Sequence, residues 1–198
     1  HKSNQGNQSL VENMTKLDIT VRRRPRRGPD LVVRLLSASA TRGRLAIGPW
    51  SAPCAIGRCG LKPVKREGDG ATPIGCWVVR AVWYRADRGR RPATGLNVRP
   101  IRPRDGWCDA THDRNYNRPV THPYPASAER MWREDDLYDV VVVLGYNDVP
   151  RRRGRGSAIF MHHARNDYRP TEGCVAMAPR DLRFVLGRLS RGSRIQIG

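Results

Sequence analysis

A mainly β domain with one or two short helices is what this 198-residue sequence predicts. Three observations predict it. Glycine (19) and proline (15) recur along the chain, which favours many short strands joined by turns. The apolar residues gather in short runs rich in valine and aromatics, the composition of strands. Only one stretch carries helical periodicity. The length suits one domain with a single core, and 38% hydrophobic residues suffice to fill it.

The elements follow in order. Residues 1–28 are polar and then arginine-rich, and read as a flexible N-terminal segment with a short edge strand at Asp18–Val21. Residues 29–198 read as one domain. Arg22–Arg27, Leu31–Leu36 and Ser37–Ala40 together imitate an export signal, but Arg34 interrupts the apolar run, so a strand is expected there. Met14 is a candidate natural start, which would make residues 1–13 foreign to the protein; a leader removed upstream is the other reading. Strands are expected at Arg44–Gly48 and Pro53–Gly57, then a charged, glycine-rich loop to Gly70. Thr72-Pro73-Ile74-Gly75 is a turn leading into Cys76–Tyr84, whose β-branched and aromatic residues mark a strand.

Residues 86–125 are rich in Arg, Pro, Asp and Asn and predict a long irregular surface excursion, a length that usually signals function. Ser127 suits the N-cap of a short helix to Asp135. Val140–Leu144 is continuously apolar and predicts a strand buried on both faces. Ser157–His163 predicts the next strand. Pro179 suits the first position of a helix with Leu182, Val185, Leu186 and Leu189 on one face, ended by Gly192, before a last strand at Arg194–Ile197.

The net charge is +19, from 37 Lys and Arg against 18 Asp and Glu. Such a balance draws anionic partners by long-range attraction, and nucleic acid, an anionic membrane surface and acidic wall polymer all qualify. No run of about 18 apolar residues exists, which excludes a membrane-spanning helix. The five cysteines, Cys54, Cys59, Cys76, Cys108 and Cys174, include no C-x-x-C pair, which argues against structural zinc; a Cys54–Cys59 bridge stays open. His112, Asp113 and His122 share the long excursion, but no regular spacing gathers them for a metal, and no metal is expected.

The chemistry concentrates in Ser157–Met177. A strand there ends in His162 and His163, a polar loop follows, and Gly173-Cys174 precedes a second apolar step. A thiol titrates near 8.5 and needs a base or a positive neighbour to become a nucleophile. A histidine at the strand end supplies one if the loop folds back, a contribution of roughly 10²–10⁴ in rate. Gly173 admits unusual backbone angles, and N–H groups at Gly173 and Cys174 can face a developing oxyanion, each such donor worth roughly 3–4 kcal/mol. Strand alternation sends His162 and His163 to opposite faces, so one of them faces the site. Arg165 and Arg169 lie between His162 and Cys174 and suit a substrate carboxylate. Tyr116, Asn117, Arg118 and Tyr124 line the groove or anchor their loop.

Two motifs resemble one family. Gly68-Asp-Gly-Ala-Thr72-Pro73-Ile-Gly75 is similar to a Thr-Pro-x-Gly turn before a strand. Ile159-Phe-Met-His162 followed by Thr171-Glu172-Gly173-Cys174-Val175 is similar to a His, short loop, Ser/Thr-x-Gly-Cys signature. Together they resemble the YkuD-type L,D-transpeptidase catalytic domain over roughly residues 31–197. The resemblance implies a β-sandwich-like catalytic domain, with Cys174 as nucleophile, His162 as base, the His163 backbone carbonyl orienting the imidazole, and Gly173 and Cys174 amides as oxyanion donors. Thr171, Glu172, Arg165, Arg169 and Tyr116 are expected around the substrate, and no cofactor is expected. The family commonly has His where Glu172 stands and Arg or Asn where Ala176 stands. The implied partners are peptidoglycan stem peptides and an amine acceptor or outer-membrane protein, in the periplasm or cell envelope, with no nucleic acid. A hydrolase trimming stems on the same scaffold and a non-catalytic basic module are the alternatives.

Overall fold

The computed structural model describes residues 30–37 and 39–198; the segment 1–28 and the strand expected at Asp18–Val21 lie outside the described residues. Among the described residues the strands are β1 (Leu31–Leu35), β2 (Arg42–Ile47), β3 (Trp50–Ala55), β4 (Leu61–Lys62), β5 (Thr72–Pro73), β6 (Gly75–Tyr84), β7 (Asn97–Pro100), β8 (Asp105–Cys108), β9 (Pro119–Thr121), β10 (Ala128–Arg130), β11 (Val140–Leu144), β12 (Phe160–His163), β13 (Val175–Met177) and β14 (Arg194–Ile197). The helix α1 (Pro179–Leu186) falls between β13 and β14. The chain is mainly β, as its composition predicts.

The large sheet closes on itself. β11, β12, β13, β3, β2, β1, β14 and β6 are hydrogen-bonded in that order, and β6 pairs again with β11. The length of β6 makes this possible: Gly75–Val78 pairs with β14, and Val79–Tyr84 pairs with β11. Its two halves form a sandwich-like pair of layers around a core that includes Leu31, Leu45, Val142, Met161 and Ile195. α1 adds Leu182, Val185 and Leu186 to that core.

β11 is buried on both faces, and its alternation divides two cores. Val140, Val142 and Leu144 enter the main core, while Val141 and Val143 face a second cluster with Trp83, Trp107, Met131, Tyr138, Phe160 and Cys174. A small sheet in the order β10-β8-β9 covers this second cluster. Trp107 of β8 packs edge-on to Phe160 of β12, with ring centroids 5.1 Å apart. The candidate nucleophile therefore sits at an interface between the closed sheet and its cover.

Three expectations change. The helix expected at Ser127–Asp135 is replaced by β10, which pairs with β8 through Glu129 opposite Trp107; cross-strand pairing overrides the local N-cap signal. The excursion 86–125 holds β7, β8 and β9, whose partners come from elsewhere in the chain or across a long loop. The helix expected to reach Gly192 stops at Leu186, where the Gly187 N–H bonds Arg183 O at 3.2 Å and Arg188 N–H turns back to Val185 O at 2.9 Å. Leu189 remains buried beyond it.

Candidate active site

Two strands deliver the site. β12 and β13 run parallel, with Met161 opposite Val175. Gly173-Cys174 immediately precedes β13. Cys174 Sγ accepts the Phe160 N–H at 3.3 Å and donates its own proton to Ala158 O at 3.3 Å. His162 lies two residues along β12 from Phe160 and so shares its face, about 7 Å further on. Cys174 and His162 line one cleft of about 580 Å³.

The histidines occupy opposite sides of β12. His162 meets Tyr138 edge-on, centroids 5.3 Å apart, in the layer that also contains Cys174. The His163 ring turns the other way, its Nδ1 bonded to Asp136 O at 3.0 Å and its Nε2 buried without a partner among the described residues. His162 Nδ1 bonds the His163 carbonyl at 2.8 Å. A carbonyl only accepts, so Nδ1 carries the proton and the Nε2 lone pair is available as a base. Burial pushes His162 down to about 4, so the ring is neutral at pH 7.

The thiol is neutral as well. Burial first, and then the Glu129 carboxylate, push Cys174 up to about 12, while the Phe160 N–H and Lys65 pull it down. The resting pair is thiol and imidazole, not thiolate and imidazolium.

A chain of hydrogen bonds joins the two sequence motifs. Gly57 N–H donates to Thr72 Oγ1 at 2.8 Å, and Thr72 N–H to Gly60 O at 2.9 Å. The Gly57 turn in turn holds Thr171: Arg58 N–H bonds Thr171 O at 2.8 Å, and Thr171 N–H bonds Ile56 O at 2.9 Å. Thr171 Oγ1 then donates to Cys174 O at 2.7 Å and accepts Gly173 N–H at 3.1 Å. The Gly173 amide donates to Thr171 Oγ1, whereas the Cys174 N–H has no acceptor among the described residues. Gly173 has φ +136°, and a Cβ there would stand 2.8 Å from Ala71 O, so the turn excludes side chains.

The other expected residues divide. Arg165, Arg169, Thr171 and Glu172 line the cleft. Glu172 is exposed and pairs with Arg58 at 3.0 Å, and Arg169 pairs with Asp167 at 2.6 Å. Tyr116 does not reach the cleft: it is 1% exposed, donates to Glu67 and accepts the Gly156 N–H at 2.9 Å. Asn117 is likewise buried, its amide bridging Tyr146 O, Asn147 O and the Trp107 indole, and anchors the loop. Tyr124 hydrogen-bonds Asp113 at 2.8 Å, and no group of three metal-binding side chains gathers among the described residues. All five cysteines are free thiols; Cys54 and Cys108 are buried and Cys59 is exposed.

Sequence reading missed Lys65, Glu67, Glu129, Arg133 and Tyr138, all of which line the cleft. Glu129 receives the Tyr138 hydroxyl at 2.5 Å, and its burial raises its pKa. The available signal was the run Lys65-Arg-Glu67-Gly-Asp69 immediately before the Thr72 motif, too rich in charge for a mere linker so close to a recognised turn.

A family model described as the L,D-transpeptidase catalytic domain (YkuD) matches residues 40–197. Comparison with curated proteins returned no match, and comparison with solved structures returned none.

Proposed function

Because this chain belongs to the L,D-transpeptidase catalytic-domain family, we propose that it is a cysteine acyltransferase of the bacterial cell envelope acting on peptidoglycan stem peptides. One observation carries the reading: Cys174 and His162 line the same cleft, and the bond from His162 to His163 O leaves the basic nitrogen free.

The thiol proton leaves Ala158 O and passes to His162 Nε2 as Cys174 sulfur attacks the carbonyl on the L side of an L–D peptide bond. The Phe160 N–H stays on the sulfur, and the Cys174 N–H meets the carbonyl oxygen as it becomes anionic. Collapse breaks the C–N bond, the departing D-residue amine takes the proton from His162, and a thioester remains on Cys174. An amine acceptor, from a second stem or an outer-membrane protein, attacks the thioester, gives a proton to His162 and releases the thiolate, which recovers that proton. Arg165 and Arg169 suit stem carboxylates at the cleft mouth.

Incubation with purified muropeptides, read by mass, tests this. Dimeric products and a carbapenem adduct mapped to Cys174, both lost in C174A, are expected. Shortened monomers alone would make the protein a hydrolase, and unchanged substrate with no adduct would overturn the reading.

A further inference from the structure

Lys65 is a charged residue that folding has put out of water: it is 4% exposed, yet it lines the same cleft as Cys174. Burying an ammonium is costly unless it is paired, and a structural lysine can stay at the surface at no such cost. Two glycines flank it, and Gly156 stands too close to it to carry a side chain. A Cβ on Gly156 would stand 2.8 Å from Lys65 Cε, and a Cβ on Gly173 would stand 3.4 Å from its Nζ. The stem therefore lies in the room left by a missing side chain, and the ammonium ends beside the residue that precedes the nucleophile.

An ammonium has three N–H donors. One bonds Asp69 Oδ1 at 2.7 Å and a second reaches Arg66 O at 3.4 Å, a long contact. Asp69 itself is held by the Arg66 N–H at 2.9 Å and the Ala71 N–H at 3.0 Å, with Lys62 3.9 Å away, so it keeps partners of its own. We infer that Lys65 is a positioning residue for the nucleophile, an ammonium anchored on Asp69 beside Gly173 that stabilises negative charge on the Cys174 sulfur. The inference rests on the reading of Cys174 as nucleophile.

The charges facing this sulfur are few and opposed. Glu129 of β10, carrying the Tyr138 hydroxyl, disfavours the thiolate, and Lys65 favours it. His162 contributes no charge while neutral. Glu67 and Arg133 also line the cleft, and Glu67 is bonded by Ser157 Oγ at 2.8 Å. In a site this dry, one ammonium near the Gly173-Cys174 turn offsets part of the cost of making a thiolate.

Iodoacetamide labelling of Cys174, quantified by mass across pH, tests the inference in wild type, K65M and K65R. Removing the ammonium should slow labelling roughly tenfold at each pH below the midpoint, the equivalent of one pKa unit. K65R, which keeps the charge, should stay nearer to wild type. If K65M fails to fold, as labelling of buried Cys54 would reveal, K65M/D69N removes the pair without leaving a buried charge and carries the same measurement. A folded K65M or K65M/D69N with the wild-type profile would overturn the inference, as would K65R slowing as much as K65M. Absence of labelling at Cys174 in wild type would instead strike at the proposed function.

Discussion

His162 and Cys174 both rest uncharged, and this has a consequence for acid stability. Unfolded histidine titrates near 6.5, whereas burial holds His162 near 4. As pH falls, the unfolded chain takes up that proton first. The contribution is complete above pH 6.5 and is lost as pH falls toward 4, on the order of 3 kcal/mol for a shift of this size. Urea unfolding of wild type and H162Q between pH 7 and 4 checks it: the variant's stability should fall less over that interval by about this amount. Equal slopes would mean that the imidazole is not held neutral. Under the proposed mechanism the same neutrality calls for help at the sulfur, since a weak base and a raised thiol form little thiolate unaided.

The turn preceding β13 and the turn preceding β6 act as one element. Thr72 Oγ1 holds the Gly57 turn, the Gly57 turn holds Thr171, and Thr171 holds the Cys174 carbonyl. T72V should leave the Gly57 N–H buried without an acceptor, at about 1–3 kcal/mol, and slow Cys174 labelling; T72S should restore the bond and most of the rate. Thermal unfolding and labelling kinetics read the two effects separately. G173A meets both a positive φ and a backbone oxygen 2.8 Å away, so it should cost on the order of 1–3 kcal/mol and abolish adduct formation at Cys174. A variant with wild-type melting and acylation would show that this turn tolerates a side chain after all.

At the scale of the whole molecule, closure of the sheet separates stability from chemistry. α1 buries Leu186 completely in the main core, on the far side of β11 from the cluster that contains Cys174. L186A should lose about 2–5 kcal/mol, lowering Tm by roughly 4–20 °C for a domain of this size, yet keep Cys174 labelling at low temperature. Differential scanning calorimetry and labelling at 10 °C test the separation; loss of labelling in a folded variant would contradict it. Among the described residues no helix is long and apolar enough to cross a membrane.

What the sequence determined by itself was local. The valine run of β11, the strand ending at His163 and the Gly173-Cys174 step were legible because alternation, β-branching and a glycine act over a few residues. The helix was found for the same reason, and its end was misplaced because the tight turn after Leu186 still buries Leu189. Tertiary structure alone decided the rest. β10 became a strand because β8 offered an edge to Glu129, and Tyr116 turned from the cleft to hold Glu67. Lys65 came beside Gly173 only when the loop before β5 packed against the loop before β13. Such juxtapositions join residues from about twenty to about a hundred positions apart. They depend on which strand edges and buried partners meet once the sheet closes, information that no local pattern of side chains carries.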